Sequence, residues 1–231
     1  MPRTIRFYFD YESPNAYLAW KELPKLAAKH GCTIEIFPIL YAALLDAHGT
    51  VGPGEAPAKG GWMMTNVLRK AAMLGMKLNP PPFFPFNPVL ALRMSLLPLE
   101  ENQRRALIDG LFEAVWVREL HVSEPDVAER VANEVGLDGR ALIQQAQSPE
   151  IKKMLRDQTD AAILRGVFGV PTMVVEGHSS RDQNQLFWGY DDFPFLDLFL
   201  AGKDPLDPAE RQRWRLGSKP SSVRRQFRKK D

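Results

Sequence analysis

Thr4-Ile5-Arg6-Phe7-Tyr8-Phe9-Asp10-Tyr11-Glu12-Ser13-Pro14 decides the fold. The first six residues are mostly β-branched or aromatic, as a strand requires, and the run stops at Asp10. Ser13-Pro14 then reads as a helix start. A serine N-cap satisfies an orphan amide, and proline at the first helical position loses nothing, because that amide has no intrahelical partner. Pro24 is expected to kink or split this helix, and His30-Gly31 to end it. Thr33 to Ile39 (TIEIFPI) is the next strand. Strand, helix and strand make a βαβ unit, which implies parallel pairing through a right-handed crossover.

Outward from this unit, the pattern between about Tyr41 and Gly166 changes to helices. Leu107, Ile108, Leu111, Phe112, Val115 and Trp116 recur at three- and four-residue spacing. Ser123 with Asp126 resembles a capping box ahead of a run ending at Gly136, and Ser148-Pro149 opens a run that closes at Gly166. Gly52 to Gly61 and Asn79 to Pro88 are rich in glycine or proline and read as loops. Strand signal returns at Pro171 to Val175, followed by a polar turn from Glu176 to Asn184, a strand from Gln185 to Trp188, and an apolar helix from about Asp192 to Ala201. The order βαβ, helices, ββα predicts an α/β fold interrupted by a large α-helical insertion. Residues 1–40 and 167–202 form the α/β domain, 41–166 the insertion, and 203–231 a basic extension expected to lack order.

The 231 residues, 45% of them hydrophobic, suffice for a substantial core. No stretch approaches the roughly 20 apolar residues that span a bilayer, and the charged amino end does not read as a signal peptide, so a cytoplasmic protein without membrane association is expected. The net charge of +2 hides an asymmetry. Residues 209–231 hold nine Lys/Arg against Glu210 and Asp231, a local +7, which leaves 21 basic against 26 acidic residues, or −5, on the rest. An acidic body with a basic tail does not read as a nucleic-acid-binding domain.

Cys32 is the only cysteine, which excludes an intrachain disulfide, a thiolate zinc site and a Cys-x-x-Cys pair. Thiol chemistry must therefore borrow its sulfur, because Cys32, at the entrance to a strand, reads as a small hydrophobe. His30, His48, His121 and His178 have no metal-ligand spacing and Ser13 lacks a G-x-S-x-G elbow, so no metal site and no serine hydrolase is expected.

Three places can carry chemistry, and each also has a purely structural reading. At Ser13 the unpaired amides and positive dipole of a helix start favour an anion, and lower the pKa of a thiol placed there; the alternative is a plain N-cap. In Phe168-Gly169-Val170-Pro171-Thr172, a proline opens a strand, and a cis bond there would leave the Val170 amide and carbonyl free for an extended ligand; the alternative is an ordinary strand start. In Phe187-Trp188-Gly189-Tyr190-Asp191, a helix amino end can take a carboxylate and Asp191 an ammonium group; the alternative is a cap with an aromatic anchor. Trp62, Met63, Met64, Val67, Leu68, Ala71 and Leu74 recur at helical spacing and are expected in the core rather than on a pocket wall, with Met64 and Met73 filling gaps.

Asp10-x-x-Ser13-Pro14-x-x-Tyr17-Leu18, Phe168-Gly169-Val170-Pro171-Thr172 and Trp188-Gly189-x-Asp191, in this order, resemble the glutathione-dependent branch of the DsbA family, which includes the 2-hydroxychromene-2-carboxylate isomerases and the related kappa-class glutathione transferases. The resemblance covers residues 4 to about 201. It implies a thioredoxin-like fold with a helical insertion, a homodimer, reduced glutathione as cofactor and a role in aromatic hydrocarbon catabolism. By the same resemblance Ser13 activates the glutathione sulfur, Val170 pairs with the cysteinyl backbone before a cis-proline, and Trp188, Gly189, Tyr190 and Asp191 hold the γ-glutamyl end. Asn87, in Phe84-Pro85-Phe86-Asn87, falls at a family position near the substrate pocket. The chemistry implied is reversible thiolate addition to an aromatic enone. A kappa-like transferase or peroxidase, and a noncatalytic thioredoxin-fold module binding a peptide along Val170, are the competing readings. Two positions depart from the pattern. Leu44 and Leu45 stand where the isomerases carry a lysine, leaving Lys59, Arg69 or Arg93 to meet a substrate carboxylate, and Asp192 stands where an arginine is common.

Overall fold

A computed structural model describes residues 2–176 and 184–217. The chain divides into two compact units, Met1–Pro194 and Phe195–Asp231. In the first, β1 (Thr4–Phe9), α1 (Pro14–Lys29) and β2 (Thr33–Pro38) form the expected βαβ unit, with β1 and β2 parallel. Two antiparallel strands, β3 (Thr172–Val175) and β4 (Gln185–Trp188), complete a four-stranded sheet of order β2-β1-β3-β4. Between β2 and β3 run seven helices: α2 (Tyr41–His48), α3 (Pro57–Met73), α4 (Val89–Met94), α5 (Glu101–Trp116), α6 (Pro125–Glu134), α7 (Gly139–Ala146) and α8 (Pro149–Leu164). The fold is thioredoxin-like with a helical insertion, as the pattern predicts.

The centre of the sheet is buried on both faces, and β1 shows how one strand serves both. Strand side chains alternate with a period of two. Phe7 and Phe9 pack with Trp20 of α1, and Phe9 also meets Phe112 of α5. Tyr8 points the other way, stacking on Phe37 and joining Leu44, Ala162, Val170 and Val174. The insertion also grips the turn after β1. Tyr11 is fully buried, its hydroxyl 2.6 Å from Ser95 Oγ, and its carbonyl accepts the indole N–H of Trp116 at 2.9 Å. The helical segment thus fixes the turn that carries Ser13.

Several local expectations are corrected. Of the two effects expected of Pro24 a split does not occur, and α1 runs unbroken to its expected end at His30. Pro24 lies on the exposed face, where the carbonyl it frees can turn to water. Gly52 to Gly61 is only partly loop, because Pro53–Glu55 forms a 3₁₀ turn and α3 already starts at Pro57. Proline at the first helical position outweighs Gly60 and Gly61 there. Ser123 does not cap α6; its hydroxyl donates to the Asn87 carbonyl, and Glu124 is the N-cap residue. Ser148 does cap α8, accepting from the Ile151 amide.

Helix α3 departs most from its expected role. Of its apolar residues only Val67 and Ala71 are buried, and Met73 is 89% exposed, so it fills no gap. One edge of the helix reaches the core, and Trp62 and Met63 line a cavity instead. The chain closes with α9 (Phe193–Leu200), which crosses from the first unit into the second, and α10 (Pro208–Gly217). Helix α10 forms inside the stretch expected to lack order, and 218–231 lie outside the described residues, as does most of the polar turn expected from Glu176 to Asn184. No described helix is long and apolar enough to cross a membrane.

Candidate active site

A cavity of about 570 Å³ opens where α1, α3, the loop before β3 and the turn after β4 meet. Ser13, Val170, Trp188, Gly189 and Asp191 all line it, so five of the residues singled out in the sequence share one wall system. Tyr190 packs its ring against Phe193, centroids 4.6 Å apart and tilted, and does not line it. Asn87 does not either: its side chain caps the Val89 amide at 3.0 Å, while Phe84 and Pro85 reach the cavity.

Ser13 caps its helix, and its hydroxyl also reaches across to the loop before β3. Its Oγ accepts from the Ala16 amide at 3.2 Å, capping α1, and donates to the Val170 carbonyl at 3.2 Å. The Val170-Pro171 bond is cis. The Val170 carbonyl is therefore engaged rather than free, while its amide makes no hydrogen bond among the described residues. Thr172 Oγ1 donates to the Gly169 carbonyl and the Gly189 amide to the Pro171 carbonyl, fixing the loop on both sides. Gly169 sits directly under the Trp188 indole, where an added Cβ would lie 2.5 Å from Nε1.

Beneath Ser13, Asp10 is completely buried and accepts the Glu12 amide on Oδ1 and the Tyr41 amide on Oδ2. Burial raises its carboxyl to about 7 against those two stabilising hydrogen bonds. On the cavity wall the Glu12 carboxyl is likewise held up, first by burial and then by the charge of Glu55. The Tyr41 hydroxyl is pushed up to about 12 by burial and by Glu12, Glu55 and Asp10.

At the opposite end, Lys70 Nζ donates to Asp191 Oδ2 at 2.7 Å and to Asn15 Oδ1 at 3.0 Å. Lys70 was not singled out in the sequence, where nothing marks it among the cations of α3. The candidates named there, Lys59, Arg69 and Arg93, do not line the cavity. Arg93 faces a separate cleft of about 180 Å³ with Lys152 and Arg156. Leu44, at the position where a lysine would be expected, is fully buried. Asp192 accepts the Trp188 amide at 2.7 Å and so tightens the turn after β4.

A protein family described as the DSBA-like thioredoxin domain matches residues 4–201. A 2-hydroxychromene-2-carboxylate isomerase of Sphingobium xenophagum is 33% identical over 202 residues, covering 87% of this chain and 99% of that protein. The chain belongs to the DSBA-like thioredoxin family, on its 2-hydroxychromene-2-carboxylate isomerase branch. The human glutathione S-transferase kappa 1 is also similar, 26% identical with 90% of this chain and 96% of that one covered. A solved structure of 2-hydroxychromene-2-carboxylate isomerase superposes with a TM-score of 0.76 at 28% identity, over 93% of this chain and all of that one. Membership explains why Ser13, Val170 and the Trp188–Asp191 turn converge although each is a weak signal alone.

The residues present fit glutathione by the chemistry of their donors. An extended peptide needs an unpartnered backbone amide, which Val170 offers. A thiolate needs donors and a positive helix end, which Ser13 and α1 offer. The Lys70–Asp191 pair complements an α-amino acid head, whose carboxylate and ammonium sit on one carbon.

Proposed function

We propose that this chain is a glutathione-dependent isomerase acting on a small aromatic enone, with Ser13 as the residue that holds the cofactor sulfur deprotonated. The observation that carries the reading is the placement of Ser13 Oγ at the N-terminus of α1, facing Val170 across 3.2 Å in a cavity large enough for cofactor and substrate together. Bound glutathione supplies a thiolate for reversible addition to the enone, so that the former double bond can turn before the sulfur leaves. The protein's share is positioning and electrostatics. Ser13 reorients its hydroxyl from Val170 to the sulfur, the first-turn amides of α1 add their dipoles, and the Val170 amide fixes the peptide in register. Lys70 and Asp191 hold the γ-glutamyl head, with Trp188 and Gly189 beside it. Trp62, Met63, Phe84 and Pro85 shield the reacting carbons from water. We place the protein in the cytoplasm, whose glutathione pool is kept reduced, as a homodimer, which light scattering on the eluted protein checks.

The decisive experiment titrates the thiolate absorbance of glutathione on the protein. A thiol pKa well below the free value of about 8.5 supports the reading, and an unshifted one removes its physical basis. A kappa-type transferase is the second reading, favoured by the buried Leu44, which offers no charge to a substrate carboxylate. Isomerisation leaves the free glutathione concentration constant, whereas transfer consumes it.

A further inference from the structure

The walls of the Ser13 cavity impose a charge rule on the second substrate. Four carboxylates, Glu12, Glu55, Asp191 and Asp192, face a single cation among the described lining residues, Lys70. Lys70 is already committed, because its ammonium is shared between Asp191 and Asn15 and its side chain is only 12% exposed. Two helical turns of α3, about 12 Å, separate it from Trp62. Near the 3₁₀ turn, Glu55 Oε1 accepts the Gly52 amide at 2.8 Å, and that oxygen and the Tyr41 hydroxyl both lie where a side chain at Gly52 would start. Neither Glu12 nor Glu55 has an ion-pair partner among the described residues. The apolar surface beside them, Trp62, Met63, Phe84 and Pro85, suits an aromatic ring.

We propose that the electrophile accepted here is an uncharged aromatic carbonyl compound, and that Glu12 and Glu55 exclude its carboxylate-bearing counterparts. The inference deepens the glutathione-dependent reading by naming the substrate class of the same cavity. Burial, and then the charge of Glu55, favour the protonated form of Glu12, which can donate to a carbonyl oxygen. A carboxylate meets repulsion in either state, because no free cation compensates the cost of desolvating it.

The test measures binding without glutathione, by equilibrium dialysis of 4-phenylbutan-2-one against the same ketone bearing a para-carboxylate. Both are saturated, so no addition can occur. The uncharged ketone is expected to bind at least about tenfold more tightly at low salt. The preference should shrink at about 500 mM salt, and fall to about twofold or less in the Glu12→Gln/Glu55→Gln double variant, which keeps both side-chain shapes. Equal binding, tighter binding of the carboxylate, a preference that survives both substitutions, or no binding of either ketone overturns the proposal. Since glutathione is absent from the measurement, a clear preference in a protein that leaves the glutathione pKa unshifted retains the charge rule and removes the thiolate reading.

Discussion

The Ser13 hydroxyl donates to the carbonyl of Val170 across 3.2 Å, although 157 positions separate the two residues. One end of this contact belongs to the first turn of α1 and the other to the loop entering β3, so the sheet pairing of β1 with β3 is what brings them together. A hydroxyl in this place keeps one cap bond and has one donor to redirect.

Replacing Ser13 with Ala removes both functions, and they separate experimentally. Loss of the cap should lower stability by about 1 kcal/mol, seen as a modest fall in Tm. Loss of the donor should cut kcat about 10²-fold and raise the pKa of bound glutathione. A variant with the stability loss but native turnover would confine Ser13 to capping.

Gly169→Ala places a methyl group 2.5 Å from Trp188 Nε1, so the indole must move or the loop must open. Overpacking of this kind costs about 1 to 3 kcal/mol. Chemical denaturation should show that loss together with weaker glutathione binding, because the loop carries Val170. Native stability in this variant would mean that Trp188 shifts without cost.

Lys70→Met deletes the hydrogen bonds to Asp191 and Asn15 but touches nothing near Ser13 Oγ. We expect the KM for glutathione to rise about tenfold with kcat at saturation unchanged, equivalent to about 1.4 kcal/mol of binding. Because Asp191 is largely exposed, Tm should move little. A fall in kcat at unchanged KM would place Lys70 in the chemical step instead.

Asp10 makes stability depend on pH in a direction opposite to that of a salt-bridged carboxylate. Its carboxyl is raised in the folded protein from 3.8 to about 7. Between those values the folded state binds more protons than the unfolded state, so the stability contributed by the protonated form is complete below about 3.8 and is lost as pH rises through about 7. Asp10→Asn cannot accept both the Glu12 and Tyr41 amides. It should be less stable at low pH, and the difference between wild type and variant should narrow as pH rises from about 4 to about 7. Parallel stability curves for the two proteins across that range would disprove the assignment.

Much of the scaffold was legible because its signals are local. Ser13-Pro14 announces a helix start whatever surrounds it, and Ser148-Pro149 does so again. Ser123 misled for the converse reason: what it does depends on which carbonyl passes nearby, as its bond to Asn87 shows. The apolar spacing of α3 could not distinguish a core wall from a cavity wall, since Val67 and Trp62 obey the same period.

The sequence by itself determined the strand and helix order and the lack of a protein thiol pair, because each follows from a short stretch of backbone chemistry or from composition, while Ser13, Val170, Trp188 and Asp191 stood out together only through the family resemblance. Tertiary structure alone decided that Lys70 meets Asp191 from 121 positions away, and that Glu12 and Glu55 share a wall with no free cation among the described lining residues. Charges act through space, and the spacing of charged side chains along a chain does not encode which of them the folded core will bring within hydrogen-bond distance.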